Sequence, residues 1–598
     1  MSYKSIFSIF LLLLVVPLVL GAQDPAGIVL DLDELKPGMK GYGKTVFSGE
    51  KIEEFDVEIL GVLKNWEAKT DMILVKMSGE PLDKTGIISG MSGSPVYIGD
   101  RVIGAVSYGW SFAKEAIAGV TPIKNMLQVL ELRDDKEKKQ LGASAESWES
   151  SLALQESSVK EVLEKRGLDE YPLRLVPIIT PLVVSGFDQR VLKDMSSTLQ
   201  KFGLFPVQGG GEALSSSDNV ELLPGSAVAT VLAKGDLNAA AVGTITYREG
   251  DTILAFGHPF IQSGRTDIPM AGAHVYTVIP SQSTSLKIAA PTRILGKISQ
   301  DRKSALAGTL GEFSKMIPCR VKVKGIRGTE YNFEVVNNKF LTQNLIQWAS
   351  ESALLATERQ AGDKTVRLSL SLDIEGRERP VRIENVYYEP HPTWFPVYHI
   401  TQPISLIMNN HFMEVNITGV TLEAEVSDER KVAIIENIRV DKRQLKPGET
   451  LHVTATIKPF AQEAVEKVVP IQIPNDVESG SIITLNVCDS NTSQALERTR
   501  APDKFNPSSF EHLVKIFEKM EPSTNLIIRA LLPKRGITYK GQELPSLPPS
   551  LLAVMSSSNQ SGVNPLMEEI VHREPVEWIL DGSHTLSITV IDENHRNY

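Results

Sequence analysis

Gly90-Met91-Ser92-Gly93-Ser94-Pro95 is the most informative segment of this chain, and it lies between two short apolar segments. The glycines allow backbone conformations that other residues rarely adopt, and they leave room beside Ser92. Pro95 fixes its own φ and directs the chain into a strand predicted at residues 96–98. The pattern therefore predicts a tight turn that presents one serine hydroxyl between two strands. A purely structural Gly/Ser turn is the alternative.

This turn is similar to the loop that carries the nucleophile in chymotrypsin-like proteases. The resemblance implies that Ser92 attacks a carbonyl carbon and that the backbone N–H groups of Gly90 and Ser92 form an oxyanion hole. The flanking sequence predicts strands. Residues 55–62 alternate between apolar and polar side chains, and residues 96–98 and 102–108 form a hairpin across Gly99 and Asp100.

Length and composition narrow the class of protein. A chain of 598 residues is too long for one core, and three or four domains are expected. The net charge of −11 is spread along the chain without a basic patch, so we expect no nucleic-acid partner. Cys319 and Cys488 are the only cysteines and are far apart, which favours two free thiols, although a single bridge between them is left open.

The first residues have the pattern of a secretory signal peptide. Lys4 precedes an apolar run at residues 6–20, and Gly21 and Ala22 offer small side chains for cleavage. The run is shorter than the ~20 residues that a membrane-spanning helix needs, although a membrane anchor is the alternative. We therefore expect a secreted, periplasmic or cell-envelope protein with no integral membrane span after signal removal.

Histidine placement tests whether Ser92 has a general base. A serine hydroxyl is a weak nucleophile and needs a neighbouring base, which is most often histidine. His258 is the first of ten histidines, so none precedes Ser92. It follows a strand predicted at residues 252–256 and lies between Gly257 and Pro259. A structural turn histidine is the alternative.

Both segments resemble the SpoIVB-type serine peptidase family. Residues 55–59, 84–86, 90–95 and 102–106 resemble the second half of the family's peptidase domain, and residues 243–247 and 256–259 resemble the first half, which carries the histidine. The resemblance implies that Ser92 and His258 are nucleophile and base, and that the two halves occur in permuted order. It covers about residues 36–132 and 222–340.

The third member of the family's triad has no counterpart at its usual position. The aspartate expected about fifteen residues before the nucleophile falls on Ser78. The acidic candidates to replace it are Asp71, Glu80, Asp83 and Asp267, and a Ser-assisted arrangement or a Ser/His dyad is also an alternative. Loss of the orienting acid can reduce turnover on the order of 10⁴-fold.

We therefore predict a mainly β protein with a chymotrypsin-like double β-barrel of permuted halves, followed by a C-terminal β-sandwich-like domain. The predicted organisation is a signal peptide (1–22), the nucleophile-bearing half (23–133), a charged helical linker (134–172), the His-bearing half with an extension (173–426), a β-sandwich-like domain (427–500) and an α+β region (501–598).

Two functions remain at this point. The first is a secreted or cell-envelope serine endopeptidase that acts on proteins or peptides without a cofactor or metal, with self-cleavage left open. The second is a catalytically weak or inactive peptidase-like scaffold that binds proteins. The sequence does not indicate the cleavage specificity or the oligomeric state.

Overall fold

The protein is mainly β in the computed structural model, which confirms the predicted fold class. The structure describes residues 29–110, 113–132, 175–211, 221–324, 328–357, 362–390, 396–539, 542–545, 547–557 and 563–591. The signal peptide and the charged linker predicted from the sequence lie outside these residues. No helix in the described ranges is long and apolar enough to cross a membrane.

The first part of the chain forms a closed six-stranded barrel. Its elements are β1 (Lys40–Val46), β2 (Ile52–Glu67), β3 (Thr70–Ser78), α1 (Leu82–Thr85), β4 (Ile88–Ser89), β5 (Pro95–Ile98), β6 (Arg101–Gly109), β7 (Ile117–Pro122) and α2 (Ile123–Glu131). In β2, Phe55, Val57 and Ile59 are buried while Asp56 and Glu58 are exposed, so one face fills the barrel interior. The strand order is β5-β1-β2-β3-β7-β6, and pairing of β5 with β6 closes the ring.

A short α/β segment connects this barrel to the next. It contains β8 (Val176–Pro177), β9 (Thr180–Ser185), α3 (Gln189–Leu199) and β10 (Leu204–Gln208). The carboxylate of Asp188 caps α3 by accepting the Arg190 N–H at 2.9 Å. β9 pairs with β10 in parallel and with a strand of the second barrel.

The second barrel also closes on six strands. These are β11 (Ala227–Gly235), β12 (Asn238–Glu249), β13 (Thr252–Ala255), β14 (Gly264–Ile279), β15 (Ser285–Arg302) and β16 (Ala305–Leu310). The strand order is β12-β13-β16-β15-β14-β11, and pairing of β11 with β12 closes the ring. β4 of the first barrel pairs in parallel with the start of β15, so the two barrels share backbone hydrogen bonding. This arrangement is the chymotrypsin-like double barrel that the sequence predicts.

The second barrel continues into a large extension. Its elements are β17 (Met316–Lys324), β18 (Thr329–Val336), α4 (Thr342–Thr357), β19 (Lys364–Ile374), β20 (Val381–Glu389), α5 (Val397–Met408) and β21 (Ile417–Ser427). The sheet runs from β11 through β18-β17-β21-β19-β20. The two helices pack against each other, and α4 also lies against β17 and β18. The barrel and its extension therefore share one core.

The rest of the chain forms two packed sheets with three helices. Its elements are β22 (Val432–Val440), β23 (Gln444–Leu445), β24 (Thr450–Pro459), β25 (Val465–Gln472), β26 (Ile482–Cys488), α6 (Ser490–Arg500), α7 (Phe510–Glu518), β27 (Asn525–Tyr539), β28 (Gln542–Leu544), α8 (Pro549–Ser557), β29 (Val563–Pro575), β30 (Ile579–Asp581) and β31 (Ser583–Val590). The sheets are β25-β24-β22-β30 and β23-β31-β26-β27-β28, with β29 beside β27. Both contribute to a single core. The boundary predicted at residue 500 falls inside this sandwich, because β26 pairs with β27 and β31, and β22 pairs with β30.

Candidate active site

Ser92 lies in a turn between β4 and β5, at the junction of the two barrels. Gly90 and Gly93 have φ angles of 95° and 94°, which side-chain-bearing residues rarely adopt. The Ser94 hydroxyl donates to the Met91 carbonyl at 2.6 Å and fixes the turn internally. The Ser92 side chain is fully buried, and its Oγ has no hydrogen-bond partner among the described residues.

The second barrel holds this turn by its backbone carbonyl groups. The Thr244 N–H donates to the Ser92 carbonyl at 2.8 Å, and the Thr246 hydroxyl donates to the Gly93 carbonyl at 2.7 Å. The Thr244 hydroxyl also reaches the Gly90 carbonyl, at 3.3 Å. These bonds fix the backbone of the turn and leave the Ser92 hydroxyl free.

His258 follows β13 and lies at the same junction. The residue two positions before it, Phe256, has a left-handed φ of 70°, and strained backbone of this kind is common at functional sites. The Gly257 carbonyl accepts the Thr121 hydroxyl of the first barrel at 2.7 Å. A β carbon at Gly257 would lie 3.0 Å from Ser107. The turn at residues 256–259, called the histidine turn below, therefore packs directly on β6.

The hydrogen bonding of His258 identifies its tautomer. Nδ1 lies 2.8 Å from the Pro259 carbonyl oxygen, which can only accept, so Nδ1 carries the proton. Nε2 therefore presents a lone pair, and it is buried without a partner among the described residues. Burial lowers the pKa of the imidazole, with the Pro259 hydrogen bond and the charge of Asp301 acting in the opposite direction. The ring is thus neutral at pH 7 and able to accept a proton.

The two residues reach this junction from different barrels. A β carbon at Gly93 would lie 2.5 Å from the Phe256 nitrogen, so the serine turn touches the strand end that leads to His258. No hydrogen bond joins Ser92 Oγ to His258 Nε2 among the bonds of the described residues. The structure places both predicted residues at one barrel junction without linking their side chains.

A comparison with protein families matches one part of the chain. The SpoIVB peptidase S55 family matches residues 32–127. These residues are therefore similar to that family, and we call them the S55 segment. No curated protein and no solved structure matches the chain. The S55 segment includes the first barrel and the Ser92 turn, and it ends before His258.

The acidic residues that the sequence offered as the third member of a triad have other partners. Asp71 accepts the Asn65 N–H at 2.8 Å, and Asp83 accepts the Gly79 N–H at 3.1 Å. Exposed ion pairs join Glu80 to Lys84 at 2.9 Å and Asp267 to Lys297 at 3.8 Å. Ser78 ends β3 opposite Asp56. No hydrogen bond of the described residues joins any of these side chains to His258.

Asp301, at the end of β15, is the acid that supports the histidine turn, and the sequence did not indicate it. Its buried carboxylate accepts three backbone N–H groups, from Phe260 at 2.8 Å, Ile261 at 2.9 Å and Ser263 at 2.9 Å. Its charge also acts to raise the pKa of His258. Asp301 therefore fixes the chain just after His258 and stabilises a positive imidazole without contacting its Nδ1. The donors are backbone groups, which leave no signature in a sequence.

The described residues contain no cluster of three or more His, Cys, Asp or Glu side chains that could hold a metal ion. The two cysteines are free and buried. Burial raises the pKa of Cys488 to about 12, so this thiol stays protonated at neutral pH.

Proposed function

We propose that the protein is a serine endopeptidase in which Ser92 is the nucleophile and His258 the general base. The family match supports a serine peptidase function in general. One observation supports the specific residues. Only five buried side-chain polar atoms of the described residues lack a hydrogen-bond partner, and two of them are Ser92 Oγ and His258 Nε2. An unpaired nucleophile and an unpaired base at one junction suit a proton transfer between them better than a structural role.

The proposed reaction follows from these two atoms. His258 Nε2 takes the proton of the Ser92 hydroxyl as Oγ bonds to the substrate carbonyl carbon, and the carbonyl oxygen becomes an oxyanion. The N–H groups of Gly90 and Ser92 donate to that oxyanion. Collapse breaks the C–N bond, and the imidazolium gives its proton to the leaving amine. Water then hydrolyses the acyl-enzyme by the same steps, with His258 again as base and then acid.

Burial of the proposed pair has a consequence for this reaction. Ser92 is fully buried and His258 is only 3% exposed, so a peptide reaches them only after the junction opens. We therefore propose that the structure is a closed, low-activity state. Opening would also bring Oγ and Nε2 into hydrogen-bond contact, since such contacts commonly tighten only with substrate bound.

The remaining parts of the proposal come from the sequence. We propose that the two halves are permuted relative to the family, with the nucleophile half first. We further propose that the signal peptide directs the protein to the cell envelope, where it acts on proteins or peptides.

A catalytically inactive scaffold is the second candidate, and one observation favours it. His258 Nδ1 donates to a backbone carbonyl and not to a carboxylate, so no charged group orients the ring as in the usual triad. Such a protein would use the same fold for protein binding only.

Labelling with a fluorophosphonate probe distinguishes the two candidates. We expect slow labelling of the wild-type protein, because only the fraction with an open junction reacts, and we expect Ser92→Ala and His258→Ala to lose the label. Ser94→Ala is the matched control, because its hydroxyl is already engaged with the Met91 carbonyl and it should keep the label. Labelling that persists in Ser92→Ala contradicts the proposal, and an unlabelled wild-type protein supports the scaffold.

A further inference from the structure

Lys287 is a fully buried lysine beside the serine turn. It follows the two residues of β15 that pair with β4, so it lies next to the point where the chain enters the turn. Its side chain has no solvent exposure, and its Nζ donates to the Thr45 hydroxyl at 2.9 Å. No ion pair with a carboxylate is present for it among the described residues.

The side chain of Lys287 packs against Gly90. A β carbon at Gly90 would lie 3.4 Å from both Cβ and Cδ of Lys287, and 3.3 Å from Pro181. Gly90 is therefore held between the lysine chain and β9. Because the Gly90 N–H is one of the two proposed oxyanion donors, Lys287 supports that end of the proposed oxyanion hole.

A buried amine without a counter-ion destabilises the folded state, which argues against a purely structural role. Lys364 shows the usual alternative, because it is also buried but forms an ion pair with Asp428. Burial lowers the pKa of Lys287 to about 7 and is the only cause of the shift. Perturbed lysines near a candidate site are often functional.

The other titratable groups on the elements around Lys287 do not account for its lowered pKa. The serine turn and β9 carry none. Those on β1 are Lys40, Tyr42 and Lys44, those on β14 are Arg265, Asp267, His274 and Tyr276, and β15 itself adds Arg293, Lys297, Asp301 and Arg302. Lys44 pairs with Glu54 at 3.7 Å and His274 with Glu50 at 3.4 Å. None of these groups contributes to the pKa shift of Lys287.

We propose that Lys287 is a positioning residue for the oxyanion-hole end of the serine turn, and that its ammonium form favours the negatively charged tetrahedral intermediate held at Gly90. The inference rests on the proposed peptidase function and deepens it. The amine acts through Gly90 and the local field, without contacting substrate.

The proposal predicts a bell-shaped dependence of labelling on pH. The labelling rate rises as His258 loses its proton below neutral pH, and falls as Lys287 becomes neutral around pH 7. In Lys287→Met the alkaline fall disappears and the maximum rate drops on the order of tenfold, less than the 10²–10³ of a direct oxyanion donor. Lys287→Arg stays charged, so its rate should hold above pH 7.

Lys297→Met is the matched control, because it makes the same change on the same strand at a partly exposed lysine. It should keep the wild-type profile. If Lys287→Met is folded but keeps the alkaline fall, the inference is wrong while the proposed function stands. If the wild-type protein is not labelled at any pH, the proposed function fails and this inference fails with it.

Thermal unfolding tests the buried amine independently of labelling and shows whether the variant is folded. Lys287→Met should melt at a higher temperature than the wild-type protein at pH 6, with the difference narrowing between pH 7 and 10 as the wild-type amine becomes neutral. A lower melting temperature at pH 6 would mean that Lys287 contributes packing alone, and would overturn the inference.

Discussion

Gly93 sets how closely the two barrels approach each other at the candidate site. A β carbon there would lie 2.0 Å from the Thr244 carbonyl oxygen, a distance that no side chain can occupy. The sequence predicts a glycine-rich turn at this position, because turn residues act locally. It does not indicate what the turn contacts, since Thr244 is far away along the chain.

Gly93→Ala should therefore lower the free energy of unfolding by more than ~3 kcal/mol. Alanine disfavours the positive φ at this position, and its β carbon would clash with the Thr244 carbonyl oxygen. Gly99→Ala is the matched control. Gly99 also has a positive φ, of 59°, but nothing lies within 4 Å of its β-carbon position. A loss of only ~1 kcal/mol in the free energy of unfolding is therefore expected for Gly99→Ala. Denaturant unfolding measures both, and equal losses would show that the barrels are not tightly apposed at Gly93.

Asp301 is the residue whose role a sequence could not reveal, because it binds backbone N–H groups about forty residues away. In Asp301→Asn, one of the two acceptor oxygens becomes an amide that faces N–H donors. We expect a loss of ~2–3 kcal/mol in the free energy of unfolding and a marked loss of labelling, because the chain after His258 is released. Asp267→Asn removes only an exposed charge pair and should change stability by under ~0.5 kcal/mol. Wild-type labelling by Asp301→Asn would exclude the positioning role.

Among the elements, those with local signals could be predicted from the sequence. The hairpin predicted across Gly99 and Asp100 is formed by β5 and β6. The polar side chains buried on α4 could not be predicted, because burial depends on α5. Gln343 bonds to Thr401 of α5 at 3.3 Å, Gln347 accepts from Gln343 at 3.1 Å and donates to Glu351 at 3.0 Å.

The hydrogen-bonded polar side chains of α4 predict a pH dependence of the free energy of unfolding. Burial raises the pKa of Glu351 to about 8, so the carboxyl is protonated in the folded state at neutral pH. The unfolded carboxyl ionises near pH 4.5, so the stability present below that pH is lost as pH rises to about 8. Glu351→Gln keeps the acceptor and cannot ionise.

We expect Glu351→Gln to match the wild-type stability at pH 4.5 and to exceed it by on the order of 2–5 kcal/mol at pH 8. Chemical denaturation at a series of pH values measures this difference. Glu312→Gln, at an exposed position, should show no such trend. A constant difference across the pH range would mean that Glu351 is already ionised in the folded protein.

The C-terminal part of the chain, from β22 onward, shares core contacts with the second barrel and its extension. Phe510, Leu513, Val514 and Phe517 of α7 lie in the core shared by the second barrel and its extension. Arg377 of the extension pairs with Glu511 of the same helix at 2.8 Å. The sequence gives no sign of where α7 docks, because the amphipathic pattern of this helix fits any apolar surface.

Val514→Asp should therefore destabilise the barrel that carries His258, because it places a carboxylate in a fully buried position. We expect the free energy of unfolding to fall by more than ~3 kcal/mol and fluorophosphonate labelling to be lost. Lys515→Asp, one residue away on the exposed face, should stay within ~0.5 kcal/mol of the wild-type protein. If Val514→Asp unfolds only the C-terminal sandwich and keeps the label, the two parts are uncoupled.

The pairing of β4 with β15 bears on the order in which the protein is made. Synthesis runs from the amino terminus, so the serine turn leaves the ribosome well before the strand that borders it and the histidine turn that it touches. During that interval the first barrel holds Ser92 without His258, and the serine turn without Lys287 beside it. If these residues act as proposed, a nascent chain cannot hydrolyse peptides until both barrels have folded.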